Sequence, residues 1–114
     1  MRVLVCGGRD FNDHHKVFQT LADIQDEMPI NCIISGGAKG ADKLGERFAK
    51  DRGIELDIYP AQWNVYGRSA GFRRNTQMLV EGKPDLVLAF PGGRGTDMMC
   101  QIASDAGVEV RKVK

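Results

Sequence analysis

Cysteine is scarce in this chain: Cys6, Cys32 and Cys100 make an odd number, with no Cys-x-x-Cys pair. That speaks against a disulfide framework and offers no zinc-ligand spacing. Three free thiols, acting as small buried hydrophobes in a reducing cytoplasm, are the expectation. The two histidines, His14 and His15, lack a partner at ligand spacing, so no metal and no cofactor are expected. Surplus charge is also missing. Sixteen Lys and Arg against fifteen Asp and Glu leave a formal net charge of +1, which excludes a protein that holds nucleic acid through a large basic excess. No apolar run approaches the ~20 residues of a membrane span. The run from Val3 to Cys6 is too short for a signal peptide, and charge returns at Arg9. Repeats and linkers are absent, and 114 residues suit one domain, 1–114, with no membrane partner.

Glycine is what the chain has in excess: 14 of 114 residues, about 12%, against a typical ~7%. Short apolar runs at Val3 to Cys6, Cys32 to Ile34 and Asp85 to Phe90 read as buried strands. A more alternating run, Ile54 to Tyr59, reads as a strand nearer an edge, and Val108 to Val113 as a last strand. Between them Val17, Phe18, Leu21, Ile24 and Met28 recur at helical spacing after an Asp13 N-cap, and Pro29 stops that helix. Gly40 to Arg52, Ala70 to Glu81 and Thr96 to Ala106 give three further helices, ended by Gly53, Gly82 and Gly107. Pro60 to Ser69 is the least periodic segment and is expected to be an irregular, functional loop. Five strands alternating with four helices predict an α/β, three-layer, Rossmann-like domain with a five-stranded, mainly parallel sheet.

Much of the glycine falls where a strand hands over to a helix: Gly7-Gly8, then Gly36-Gly37 with Gly40, then Gly92-Gly93 with Gly95. In a parallel α/β sheet these junctions share the carboxyl edge, where ligands bind at the switch point. Glycine lets the backbone approach a ligand, and helix N-termini there offer free N–H groups to phosphate. Three such junctions point to a phosphorylated, nucleotide-like ligand, although any one of them serves a tight turn equally well. Neither dinucleotide fingerprint nor P-loop is present: Gly7-Gly8-Arg9-Asp10-Phe11 is not GxGxxG, and Ser35 to Asp42 lacks the GxxxxGK[ST] spacing.

Five ordered motifs carry a resemblance through essentially the whole chain. They are GGRDF (7–11), SGGAKGAD (35–42), PAQW (60–63), AGFRRNTQM (70–78) and PGGRGT (91–96). Together they resemble the YspA-type, YpsA-related branch of the SLOG superfamily, a Rossmann-like group that includes the Lonely Guy enzymes and the DprA/Smf DNA-processing proteins. The resemblance implies a nucleotide-derived ligand at the carboxyl edge, held by a sensor or sequestering protein. The Lonely Guy signature reads PGGxGTxxE, and Pro91 to Thr96 matches its first six positions. Met99 stands where the catalytic glutamate would be. A thioether takes no proton, so a nucleoside 5′-monophosphate N-glycosidase is the disfavoured alternative. Asp97, two residues earlier and ~200° round the helix, should point elsewhere. DNA handling, by analogy with the DprA/Smf relatives, is a weaker alternative because no basic run supports it. A homo-oligomer is expected, since Lonely Guy relatives are dimeric.

The ligand-binding candidates follow. Gly7, Gly8 and Arg9 belong to the first turn; Ser35, Gly36, Gly37, Lys39, Gly40 and Asp42 to the second; Pro91, Gly92, Gly93, Gly95 and Thr96 to the third. Arg9, Arg73 and Arg74 can grip phosphate with planar forks. In the resembled family, the arginine–asparagine–methionine pattern matched by Arg74, Asn75 and Met78 contributes to the pocket. Asn75 suits a ribose hydroxyl, a base edge or a neighbouring loop. Asp42 and Asp10 are the acids near the edge; Asp42 suits a loop cap or a ribose, and beside phosphates it is expected to face away. Trp63 can stack on a base, anchor its loop or enter a subunit interface.

Overall fold

The computed structural model describes residues 1–114. Strands β1 (Arg2–Cys6), β2 (Cys32–Ser35), β3 (Glu55–Ile58), β4 (Leu86–Ala89) and β5 (Glu109–Lys112) form one sheet in the order β3-β2-β1-β4-β5. All four pairings are parallel, with Val3 opposite Ile33 on one side and Leu86 on the other. The expected edge position of β3 is observed, and β5 forms the other edge.

Helices α1 (His14–Glu27), α2 (Ala41–Arg52), α4 (Ala70–Gly82) and α5 (Arg94–Asp105) complete the layers, with one short helix, α3 (Trp63–Tyr66), between β3 and α4. The Asp13 side chain caps α1 by accepting from the Lys16 amide at 3.0 Å. Strand alternation assigns the two faces. Val3, Val5, Ile33, Leu86 and Leu88 pack with Val17, Leu21 and Phe48 from α1 and α2. Leu4, Cys6, Ile34, Val87 and Ala89 pack with Met78, Met99 and Ala103 from α4 and α5. The domain therefore has three layers, two helices on each side of the sheet.

Two details differ from the sequence expectation. The segment 60–69 is not wholly irregular: α3 and a 3-10 turn at Gly67–Ser69 occupy most of it. A single helical turn carries no period to read in a sequence. The last helix starts at Arg94, two residues before Thr96, because Gly93 takes the N-cap position. The three cysteines are free and buried, as expected. No helix is long and apolar enough to cross a membrane.

From β1 the chain winds outward through β2 to β3, then returns to place β4 on the other side of β1. The carboxyl ends of β1 and β4 are thus the switch point, where a crevice opens between diverging connections.

Candidate functional site

A cavity of about 580 Å³ opens at this switch point. That lies within the range of small-molecule sites, roughly 300–1,000 Å³. The first and third glycine turns make its base, backbone against backbone. The Gly8 amide donates to the Pro91 carbonyl at 2.8 Å. A β-carbon at Gly92 would lie 2.7 Å from the Gly8 nitrogen, so no larger residue fits between these turns. The second turn locks onto the first: the Ala41 amide donates to the Gly8 carbonyl at 3.2 Å. Gly40 has φ +77°, and a β-carbon there would overlap the Gly8 and Arg9 carbonyl oxygens. Glycine at position 40 is required twice over, by conformation and by space.

Gly7, Gly8 and Arg9 line the cavity, as do Pro91, Gly92, Gly93, Gly95 and Thr96. No side chain caps the N-terminus of α5. Its first-turn residues Gly95 and Thr96 line the cavity, and free amides with a positive dipole end are chemically suited to an anion. The second turn behaves differently. It contributes Ala38 and Asp42 to the wall, whereas Ser35, Gly36, Gly37, Lys39 and Gly40 do not line the cavity. Ser35 is fully buried, donates to the Glu46 carboxylate at 2.6 Å and accepts from the Gly37 amide at 3.1 Å. It braces the turn from behind. Lys39 is exposed to solvent.

Asp42 makes the expected loop cap, and its carboxylate lines the cavity rather than facing away. It is only 6% exposed and accepts from the Ala38 amide at 3.2 Å, so capping its own turn fixes its direction. Burial pushes its carboxyl up to about 6, against the pull of the Ala38 hydrogen bond and of Arg74. Arg74 donates through Nη1 to the Gly36 carbonyl and through Nε to Asn75 Oδ1 at 3.0 Å. Burial lowers the guanidinium pKa, with Asp42 opposing and Arg9 adding to the fall.

Asn75, 6% exposed, donates through Nδ2 to the Gly95 carbonyl at 3.1 Å. Of its three expected partners, the neighbouring loop is the one in place. Arg73 does not accompany Arg74 into the cavity. Neighbours on a helix diverge by ~100°, and Arg73 lies over the Tyr66 ring at 4.4 Å while donating to Ser69 Oγ at 3.1 Å. Trp63 also stands outside the main cavity, 48% exposed, with the Arg9 guanidinium 5.9 Å from its ring centre.

Met99 is 1% exposed and packs into the core beneath the cavity. Asp97 opens onto a different groove with Cys100 and Lys112, as its angle round α5 required. Asp10 and Asp42 are the two acids facing the site. The sequence reading did not find Phe11, Cys6 and Ala38 as lining residues. Phe11 was legible only as a motif letter; its position depends on the path of the first turn, fixed by the Phe11 amide donating to the Gly8 carbonyl at 3.2 Å.

Comparison with known proteins adds two findings. The sequence profile of the YAcAr family, described as YspA, cpYpsA-related SLOG, matches residues 1–66. That span holds the first two glycine turns and the Trp63 helix. The gene 61 protein of Mycobacterium phage D29 is 36% identical over 117 residues, covering 96% of this chain and 93% of the relative. The similarity to the phage protein therefore extends through the third turn and both remaining helices.

Proposed function

This chain belongs to the YspA, cpYpsA-related SLOG family, and on that premise we propose that it binds a nucleotide-derived small molecule at the carboxyl edge of its sheet. The ligand carries phosphate and ribose, with ADP-ribose-like molecules and cyclic nucleotide signals among the candidates. The protein acts as a sensor or sequestering agent in the cytoplasm. One observation supports this most: the first and third glycine turns, the uncapped α5 N-terminus, Arg9 and Arg74 open on a single cavity of about 580 Å³. The α5 amides and Arg9 hold phosphate, with Arg74 adding charge from α4. Trp63 offers a ring face to the base. No metal or cofactor is needed. A homo-oligomer fits the exposed apolar residue Val80 on the outer face of α4. Titration calorimetry against nucleoside mono-, di- and triphosphates, ADP-ribose and cyclic nucleotides tests the reading.

A second reading, nucleotide N-glycosidase, gains from Asp42, an acid inside the cavity with a carboxyl pushed up to about 6. In that reaction the bond from C1′ to the base breaks and the base leaves with a proton from Asp42; water adds at C1′ and its released proton returns to the Asp42 carboxylate. Met99 in the glutamate position weighs against it. Incubation with nucleoside monophosphates and detection of free base decides between them. Activity abolished by Asp42→Asn would favour the enzyme.

A further inference from the structure

Beside the main cavity lies a second groove of about 410 Å³, which shares Arg9, Arg74, Asn75 and Gly95 with it. Trp63, Arg68, Phe72 and Arg94 complete the part that matters chemically. Four guanidinium groups line this groove and no carboxylate does. In a chain with 16 basic and 15 acidic residues, that is a pronounced local separation of charge. The cations of the chain's ion pairs are Arg2, Lys43, Arg52 and Arg111; none of the four groove arginines takes part. Two exposed rings lie among these charges, Trp63 at 48% and Phe72 at 59%.

Each feature costs free energy in the empty protein. Like charges crowd one another, as Arg9 does Arg74, and large apolar rings face water. A ligand that brings further negative charge and a planar ring relieves both. On the reading above, Arg9, Arg74 and the α5 amides serve one phosphate in the main cavity, so Arg68 and Arg94, which line the groove alone, are surplus to a nucleoside monophosphate.

We propose that this groove is the second half of the binding site and accepts a second phosphate with the group attached to it. The ligand is then a nucleotide with at least two phosphates, such as a pyrophosphate-bridged dinucleoside, that passes Arg9 and Arg74 between the two compartments and lays a ring on Trp63. This inference rests on the nucleotide-binding reading above.

The test compares AMP, ADP, P1,P2-diadenosine diphosphate and the matching guanine compounds by calorimetry, with a single-stranded oligothymidylate beside them. Trp63 is the chain's one tryptophan, so its fluorescence reports on the groove directly. The two-phosphate compounds should bind at least about tenfold tighter than the monophosphates, as expected for added charge-assisted bonds. The dinucleoside should quench Trp63. The double substitution Arg68→Ala, Arg94→Ala, on two exposed positions, should remove that advantage, leave monophosphate affinity within about twofold and keep the melting temperature. Equal affinity for one and two phosphates, or indifference to the double substitution, overturns the inference while sparing the nucleotide-binding reading. No binding by any nucleotide overturns both. Oligothymidylate binding that tightens with length and exceeds that of every nucleotide assigns the groove to nucleic acid and overturns the inference.

Discussion

Arg74 donates through Nε to Asn75 Oδ1 at 3.0 Å, and the pair joins two glycine turns that are far apart in sequence. Arg74 reaches the Gly36 carbonyl of the second turn, and Asn75 reaches the Gly95 carbonyl of the third. Adjacent residues at the start of α4 therefore act as one bracket across the site. Asn75→Ala removes both bonds of the bracket, together with the weaker one to Met98 Sδ, at a cost of about 1–3 kcal/mol. Chemical denaturation should record that loss, and nucleotide affinity should fall with it. An unchanged denaturation midpoint would mean that water replaces the bracket.

Behind the second turn, Ser35 and Glu46 share a buried hydrogen bond of 2.6 Å. Ser35→Ala strips a buried carboxylate of its hydroxyl donor and should cost about 1–3 kcal/mol. Glu46→Gln keeps an acceptor for the hydroxyl and should cost less. Urea melts of the two variants check the order.

Gly40 and Gly95 separate folding from binding. Gly40→Ala faces both a φ of +77° and overlap with carbonyl oxygens, and it should lose about 2 kcal/mol or more. Gly95 lies in the first turn of α5, with nothing within 4 Å of a β-carbon placed there. Gly95→Ala should hold or raise stability, by up to about 1 kcal/mol from helix propensity. The added methyl faces a position that both compartments share, so ligand affinity should drop. Melting curves and titrations on the same samples distinguish the two effects.

Asp42 sets a pH dependence. Its carboxyl rises from 3.8 to about 6 on folding, chiefly through burial. The folded state thus binds the proton more tightly than the unfolded chain. The associated stability is fully present below pH ~4 and is lost as pH rises through ~6, by at most about 3 kcal/mol. Asp42→Asn removes that loss, so the variant should gain on the native protein between pH 4 and pH 7 in urea melts. A phosphate near Asp42 raises the carboxyl further, so binding near pH 6 should take up protons. Calorimetry in two buffers of different ionisation enthalpy measures this.

Much of the fold was legible because its signals are local. Apolar runs closed by glycine mark β1, β2 and β4, and Asp13 and Pro29 bound α1 within a residue or two. The three turns were legible for the same reason. Orientation was less so. Asp42 makes the loop cap that its position suggested, but the inward direction which that cap gives it is encoded by no spacing rule. The divergence of Arg73 from Arg74 could have been read from helix phase. Met78, four residues beyond Arg74, is buried in the core, which puts Arg74 on the inner face and Arg73 to the side. The charge-separated groove escaped notice because Arg9, Arg68 and Arg94 come from three separate connections, and net charge averages over all of them.

The central claim, that this edge holds a phosphate-bearing nucleotide, is tested most directly by titration calorimetry of the native protein and Arg9→Ala against the nucleotide panel. Arg9 is exposed and lines both compartments, so its loss leaves the core intact. The account predicts a dissociation constant well below ~1 mM for at least one phosphate-bearing nucleotide. It also predicts at least about tenfold weaker binding in Arg9→Ala at an unchanged melting temperature. Binding no tighter than ~1 mM across the whole panel, or equal affinity in native protein and variant, would contradict it.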